Sequence, residues 1–157
     1  MTDVLTEEQR RLNMSRIRGR DTKPEMLIRR GLHRLGFRFR LQQRDLPGKP
    51  DLVLPRYRTG IFVHGCFWHD HGCSLCKRPK TRPEFWEAKL TANRARDQRV
   101  RQALLGTGWR VLTVWECALR GQGRRPLEEV LGECAAFIVE SEASSHEVGQ
   151  RAPIFEP

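Results

Sequence analysis

Residues 51–64, Asp51-Leu-Val-Leu-Pro-Arg-Tyr-Arg-Thr-Gly-Ile-Phe-Val-His64, decide the fold. Two short apolar runs, 51–54 and 61–64, flank a polar turn at 56–60. Short runs of Val, Ile, Leu and Phe bounded by Pro, Arg and Gly read as buried strands. Just upstream, Leu46-Pro-Gly-Lys-Pro50 is a turn. Before it, Phe37-Arg-Phe-Arg-Leu41 alternates with period two and reads as a half-buried strand. Further back, Leu27, Ile28, Leu32 and Leu35 form a helical stripe that Gly36 stops, and Thr22 with Glu25 makes a capping box around Pro24. Thr6 and Gln9 mark another helix start, opening a short basic helix to residue 17, with a linker at 18–21. Downstream, residues 65–82 are rich in Gly, Cys, His and Pro and form an irregular loop. Thr81 with Glu84 is a third capping box, opening a long helix over 83–105 that Gly106 and Gly108 end. Residues 109–115 are a strongly apolar strand, expected near the sheet centre, and 126–140 have helical spacing. The order α-α-β-β-β-α-β-α predicts an α/β fold, a mixed sheet flanked by helices. We expect one domain over 1–140, its first 20 residues a basic helix and linker that lie against a partner, and a flexible acidic tail over 141–157.

At 157 residues the chain is long enough for one buried core. Its 38% hydrophobic and 31% charged residues exclude wholesale disorder, and no apolar run reaches bilayer length. The N-terminus lacks a secretory signal, which points to the cytoplasm. The net charge of +10 is uneven. Residues 1–50 carry 13 Lys and Arg against 6 Asp and Glu, 51–126 carry 15 against 6, and 127–157 carry 1 against 7. A basic, arginine-rich body with an acidic end points to a polyanionic partner, nucleic acid first.

The segment His64-Gly-Cys66-Phe-Trp-His69-Asp-His71-Gly-Cys73-Ser-Leu-Cys76 concentrates soft and imidazole ligands between glycines that permit tight turns. Five cysteines without a secretion signal favour metal binding over disulfides. Four-coordinate zinc fits Cys66, His71 and Cys73, and spacing leaves Cys76 and Cys117 as rivals for the fourth place. A closed four-ligand shell makes such a site structural.

Asp51 starts one strand and the next ends in Val63-His64, an arrangement that can hold magnesium at a sheet edge, with a main-chain carbonyl completing it. Strand-entry aspartates are also common turn formers, so spacing alone leaves both readings open. His64 and His69 are candidates for proton transfer, because neutral imidazole takes a proton from water near neutral pH. Asp97 on the long helix could orient one of them, or be an exposed charge between Arg96 and Arg99. Trp86, Lys89, Asn93 and Asp97 share one helix face. With Phe67 and Trp68 in the glycine-rich loop, these rings suit wedging into a base stack, or covering the metal loop. Met14 in the basic helix is a further wedge or a core anchor.

These strings resemble the very-short-patch-repair mismatch endonucleases. The resemblance rests on Asn13-Met14-Ser-Arg-Ile, Arg20-Asp21-Thr22, Glu25, Leu46-Pro-Gly-Lys-Pro-Asp51, Phe62-Val-His64-Gly-Cys66-Phe-Trp-His69, Thr81-Arg-Pro-Glu-Phe-Trp86, Arg96-Asp97 and Val114-Trp-Glu-Cys-Ala-Leu-Arg120, in order from residue 10 to 121. It implies a restriction-endonuclease-like fold and strand-specific nicking 5′ of the thymine in T:G mismatches left by 5-methylcytosine deamination. Magnesium would be held by Asp51 and the carbonyl of Val63. His69 would be the general base, oriented by Asp97, with His64 near the phosphate and Glu25 in the same site. The zinc ligands it implies are Cys66, His71, Cys73 and Cys117. Phe67, Trp68 and Trp86 would form an intercalating platform, Lys89 and Asn93 would contact the mismatched bases, and Met14 would wedge from the other groove. The expected partner is double-stranded DNA bound by a monomer, with repair proteins following and no membrane. Two departures stand out: Val63 replaces the Thr usual in the family, and Cys76 is an extra thiol. The rival readings are a restriction-type nuclease on matched DNA and a zinc-stabilised DNA-binding module without catalysis.

Overall fold

A computed structural model describes residues 6, 8, 21–73 and 75–150. Most of the basic N-terminal helix, including Met14, residues 18–20 of the linker and residues 151–157 lie outside the described residues.

Helix α1, Lys23–Arg34, is followed by strands β1, Arg40–Leu41, β2, Leu52–Leu54, and β3, Thr59–His64. Then come helix α2, Pro83–Gly106, strand β4, Arg110–Trp115, helix α3, Leu127–Val139, and strand β5, Ser145–Val148. The five strands lie in the order β1-β2-β3-β4-β5. The first two pairings are antiparallel and the last two parallel, which makes the sheet mixed, as expected.

Alternation along the strands sends side chains to two different layers. Leu52, Leu54, Ile61, Leu112 and Val114 pack with Ile28 and Leu32 of α1 and with Val130, Phe137 and Ile138 of α3. Phe62 and Val111 face the other way and meet Leu104 of α2. Helices α1 and α3 approach so closely that a Cβ on Gly31 would lie 2.3 Å from Leu131 Cδ1, so a larger residue there must displace the Leu131 side chain. Among the described residues no helix is long and apolar enough to cross a membrane.

Three local expectations differ from the structure. The 37–41 run pairs only through Arg40 and Leu41, because β2 offers only three residues and Phe37 and Phe39 turn to pack against Tyr57 and His33. The third capping box does not form: Arg82, with φ +54°, caps α2 without a side-chain hydrogen bond. Pro83 in the first turn has no N–H to satisfy, and the Arg82 guanidinium instead sits 4.3 Å over the Phe85 ring. The expected tail contains β5, which joins the sheet beside β4 from Ser145 to Val148. Only Val148 of that strand is buried, so its sequence carries little strand signal and backbone pairing builds it.

Candidate active site and metal centre

Pro50 and Asp51 bring the chain into β2, and Asp51 reaches across to β3. Its Oδ2 accepts the Val63 N–H at 2.8 Å. Gln42 Nε2 donates both to Asp51 Oδ1, at 3.3 Å, and to Glu25 Oε1, at 3.2 Å. Glu25 is only 2% exposed, and its other oxygen accepts the Asp21 N–H at 2.9 Å. Thr22 Oγ1 caps the Glu25 N–H as expected, but the Glu25 carboxylate serves Asp21 rather than closing the box on Thr22. Two carboxylates thus lie side by side, with one amide between them. Burial pushes the Asp51 carboxyl up to about 6, against the Val63 N–H that favours its ionised form, and the neighbouring Glu25 adds to the rise.

At the end of β3, the His64 and His69 rings stack 3.7 Å apart and within 3° of parallel. His69 Nδ1 meets Asp97 Oδ2 at 2.5 Å, which assigns the Nδ1 proton to that pair and leaves Nε2 as the free nitrogen. Burial, with His69 adding to it, pushes His64 down to about 3, so that ring is neutral at physiological pH. Its Nδ1 is buried without a hydrogen-bond partner. His64, His69 and Asp97 place nitrogen and oxygen atoms within 4.8 Å of one another. Stacked parallel rings, however, project their lone pairs side by side instead of converging on an ion, so this trio fits proton transfer better than metal binding. Asp51, His64 and His69 line one cavity of about 420 Å³, with Gln42, Lys49 and Val63 around it.

A second cluster lies in the loop after β3 and at the end of β4. Ligand atoms of Cys66, His71, Cys73 and Cys117 all fall within 4.8 Å of one another. Cys117 Sγ and His71 Nδ1 are 3.5 Å apart. A tetrahedral ion with sulfur at 2.3 Å and nitrogen near 2.0 Å separates those ligands by about 3.6 Å, so the set fits a metal such as zinc. The Cys66 thiol, hydrogen-bonded to Cys117, holds the latter down to about 5, and the Gln150 N–H and His71 favour its thiolate as well. A thiolate is the form that ligates. Cys76 is not in the group. Its S–H donates to the Cys66 carbonyl at 3.1 Å, and its Sγ accepts the Gly72 N–H at 3.3 Å. The fifth cysteine, Cys134, is buried in the core under α3, where burial pushes its thiol up to about 12 and leaves it inert.

Beside the His64–His69 pair stands a group of rings. Phe67 lies 5.1 Å from Trp68 and 5.4 Å from Trp86, and the two tryptophans are 6.0 Å apart. Lys89 Nζ sits 5.4 Å from the Trp68 ring, 5.8 Å from Phe85 and 6.0 Å from Trp86. Asn93 Nδ2 donates to the Trp68 carbonyl at 2.9 Å, and its Oδ1 accepts from Arg96 at 2.8 Å. Its amide therefore buckles the ring loop to α2. Asp70 does the same with charge through Arg94 of α2, and it also meets Arg78 of the preceding loop, both at 3.1 Å.

Asp51, Glu25, His64, His69 and Asp97 are thus gathered at the open ends of β2 and β3, the ring residues with Lys89 and Asn93 flank them, and the four metal-type ligands lie behind. Three participants carried no separate signal in the sequence. Gln42 bridges the carboxylates from an otherwise unmarked turn. Phe85 adds an exposed fourth ring and is visible only as the neighbour of Trp86. Lys49, with φ +50° and a side chain in no ion pair or hydrogen bond among the described residues, lines the Asp51 cavity. It follows Gly48, whose φ of +69° and whose closeness to Val100 leave no room for a Cβ.

The sequence model of the family described as "DNA mismatch endonuclease Vsr" matches residues 2–75. The chain is 52% identical over 123 residues to the "Type II nicking enzyme V.XorIIP" of Xanthomonas oryzae, a match covering 78% of this chain and 90% of that protein. It is 45% identical over 145 residues to the "DNA mismatch endonuclease Vsr" of Escherichia coli, covering 92% of this chain and 93% of the other. To the "Type II nicking enzyme V.NmeAIP" of Neisseria meningitidis it is 42% identical over 122 residues, or 78% and 87% of the two chains.

Proposed function

The chain belongs to the Vsr family of DNA mismatch endonucleases, and on that premise we propose that it nicks one strand of duplex DNA 5′ of the thymine in a T:G mismatch, with magnesium at Asp51. The observation that carries this reading is one cavity in which Asp51, His64 and the Asp97-bound His69 meet beside a half-buried group of rings. One T:G pair stacks less well than a matched pair, so rings that wedge into the step meet less resistance there.

The residues fit a hard cation. A carboxyl held up to about 6 by burial, with Glu25 adding to the rise and His69 as the smallest of the opposing influences, is undercompensated for charge. The N–H and C=O of one extended residue face the same neighbouring strand, so the Val63 carbonyl is directed to the side on which its N–H meets Asp51. Bound there, magnesium supplies positive charge to the scissile phosphate and orients water. The remaining work belongs to the chain. Asp97 fixes His69 with Nε2 free to take a proton from attacking water. His64 stays neutral and shields one face of the His69 ring. Glu25, through Gln42, holds Asp51 in place. Loss of the Thr hydroxyl at Val63 leaves the carbonyl intact. The cluster of Cys66, His71, Cys73 and Cys117 acts as a structural zinc site, and Lys89 with Asn93 reads the bases once DNA takes the place of their present partners. Over the N-terminal segment, Met14 wedges from the opposite groove. The protein acts as a monomer.

The test uses end-labelled duplexes with and without one T:G pair, with magnesium and without. The expected result is a single nick in the thymine strand of the mismatched duplex, only with magnesium. Equal cutting of the matched duplex would replace this reading by the restriction-type one. Binding with no nicking would reduce the chain to a DNA-binding module.

A further inference from the structure

We infer that β5 and the two residues after it are an outer shell of the metal centre, with Gln150 and Glu147 as positioning residues for its ligands. The inference stands on contacts to the cluster and does not depend on the mismatch reading. The Gln150 N–H donates to Cys117 Sγ at 3.3 Å. Gly149 lies against both ligands of that corner: a Cβ there would be 3.5 Å from His71 Cε1 and 4.0 Å from Cys117 Sγ. Glu147 Oε1 accepts the Trp115 Nε1–H at 3.3 Å. The Trp115 ring in turn stacks on His71 at 3.9 Å and 4°. One strand thus reaches Cys117 through a backbone donor and His71 through an indole.

The strand is itself held in register. Arg125, whose N–H donates to the Ala118 carbonyl at 2.8 Å, also reaches the Gly149 carbonyl at 3.5 Å and pairs with Glu133 and Glu129. His146 Nε2 meets Glu133 at 2.8 Å. A chain of charged contacts therefore fixes β5 to α3, and β5 fixes the ligands. Hydrogen bonds to a ligating sulfur stabilise its lone pairs, and outer partners of this kind set ligand orientation and metal retention. The loop so anchored carries Phe67, Trp68 and His69, so the strand also governs where the rings and the histidine stand.

The test is made on the full chain with cobalt(II) in place of zinc. Gln150→Pro deletes the N–H, whereas Gln150→Ala keeps it and removes only the side chain. The expected result for Gln150→Pro is a thiolate-to-cobalt charge-transfer band at longer wavelength, and zinc lost to a colorimetric chelator about tenfold more readily. Gln150→Ala should keep the wild-type band. A Pro variant with the wild-type band and release, or an Ala variant that shifts as far as the Pro variant, overturns the assignment. If Gln150→Pro does not fold, Glu147 decides. Glu147→Ala should lower zinc affinity in chelator competition and Glu147→Gln, which keeps an acceptor for the indole, should restore it. Wild-type affinity in Glu147→Ala then overturns the proposal.

Discussion

Replacing Asp51 by Asn should make the protein more stable as it makes it inactive. Burial and Glu25 move the Asp51 carboxyl from its ordinary value of 3.8 to about 6. At 1.36 kcal/mol per pH unit, holding the ionised form in the folded protein costs about 3 kcal/mol. Asparagine removes the charge and keeps an oxygen for the Val63 N–H, though a neutral acceptor bonds roughly half as strongly as a carboxylate. The net gain expected at pH 8 without magnesium is therefore about 1–3 kcal/mol. The sign with pH follows from proton counts. As pH rises from 4 to 6, the unfolded chain gives up this proton first and the folded chain retains it, so wild-type stability falls across that window. The advantage of Asp51→Asn should be full above pH 6 and vanish towards pH 4. Urea unfolding of zinc-loaded protein at pH 8 and pH 4.5 measures both, and magnesium should stabilise the wild type alone. A variant less stable than wild type at pH 8, or a difference that does not change with pH, would refute the account of this carboxylate.

Asp97→Asn should lower single-turnover nicking by about 10²–10⁴-fold with duplex binding almost unchanged, because His69 loses the acceptor that fixes its tautomer; a wild-type rate would remove Asp97 from the site. Cys117→Ser should reduce bound zinc, measured by atomic emission, and lower the melting temperature, whereas Cys76→Ser should leave the zinc content at the wild-type value. Trp86→Ala should weaken binding to the T:G duplex by about 1–3 kcal/mol in titrations, and the matched duplex by less. Lys49→Met should reduce the slope of log affinity against log salt by about one, as expected for one lost phosphate contact, and an unchanged slope would place that cation away from the DNA.

Much of this site was legible because its chemistry is local. Cys66, His71 and Cys73 lie within eight residues, and their residue types alone restrict the ion. The choice between Cys76 and Cys117 was not legible from spacing, since only the parallel pairing of β3 with β4 brings residue 117 beside residue 66. The same holds for Asp97. Its sequence neighbours are arginines, and its role depends on α2 crossing the end of β3 so that it meets His69. Gln42 is set by tertiary placement alone. Strand β5 was missed for a different reason: a four-residue strand with one buried apolar side chain has no period to read, and its stability comes from the backbone of β4 and the Arg125 network.

Three of the four metal-type ligands and His69 also share one segment, and the energies make that sharing consequential. The described residues of 65–76 form no strand or helix, and their backbone bonds are short-range turns, such as His69 N–H to Gly65 and His71 N–H to Cys66. Ordering that backbone costs on the order of 10–20 kcal/mol. Phe67 and Trp68 are only half-buried, so apolar burial offsets little of it. A zinc ion held by the four ligands would contribute about 10–16 kcal/mol, which is the missing magnitude. With an ion bound at the cluster, the metal and His69 would be two ends of one equilibrium, and removing the ion should release His69 from Asp97 and the rings from Lys89 together.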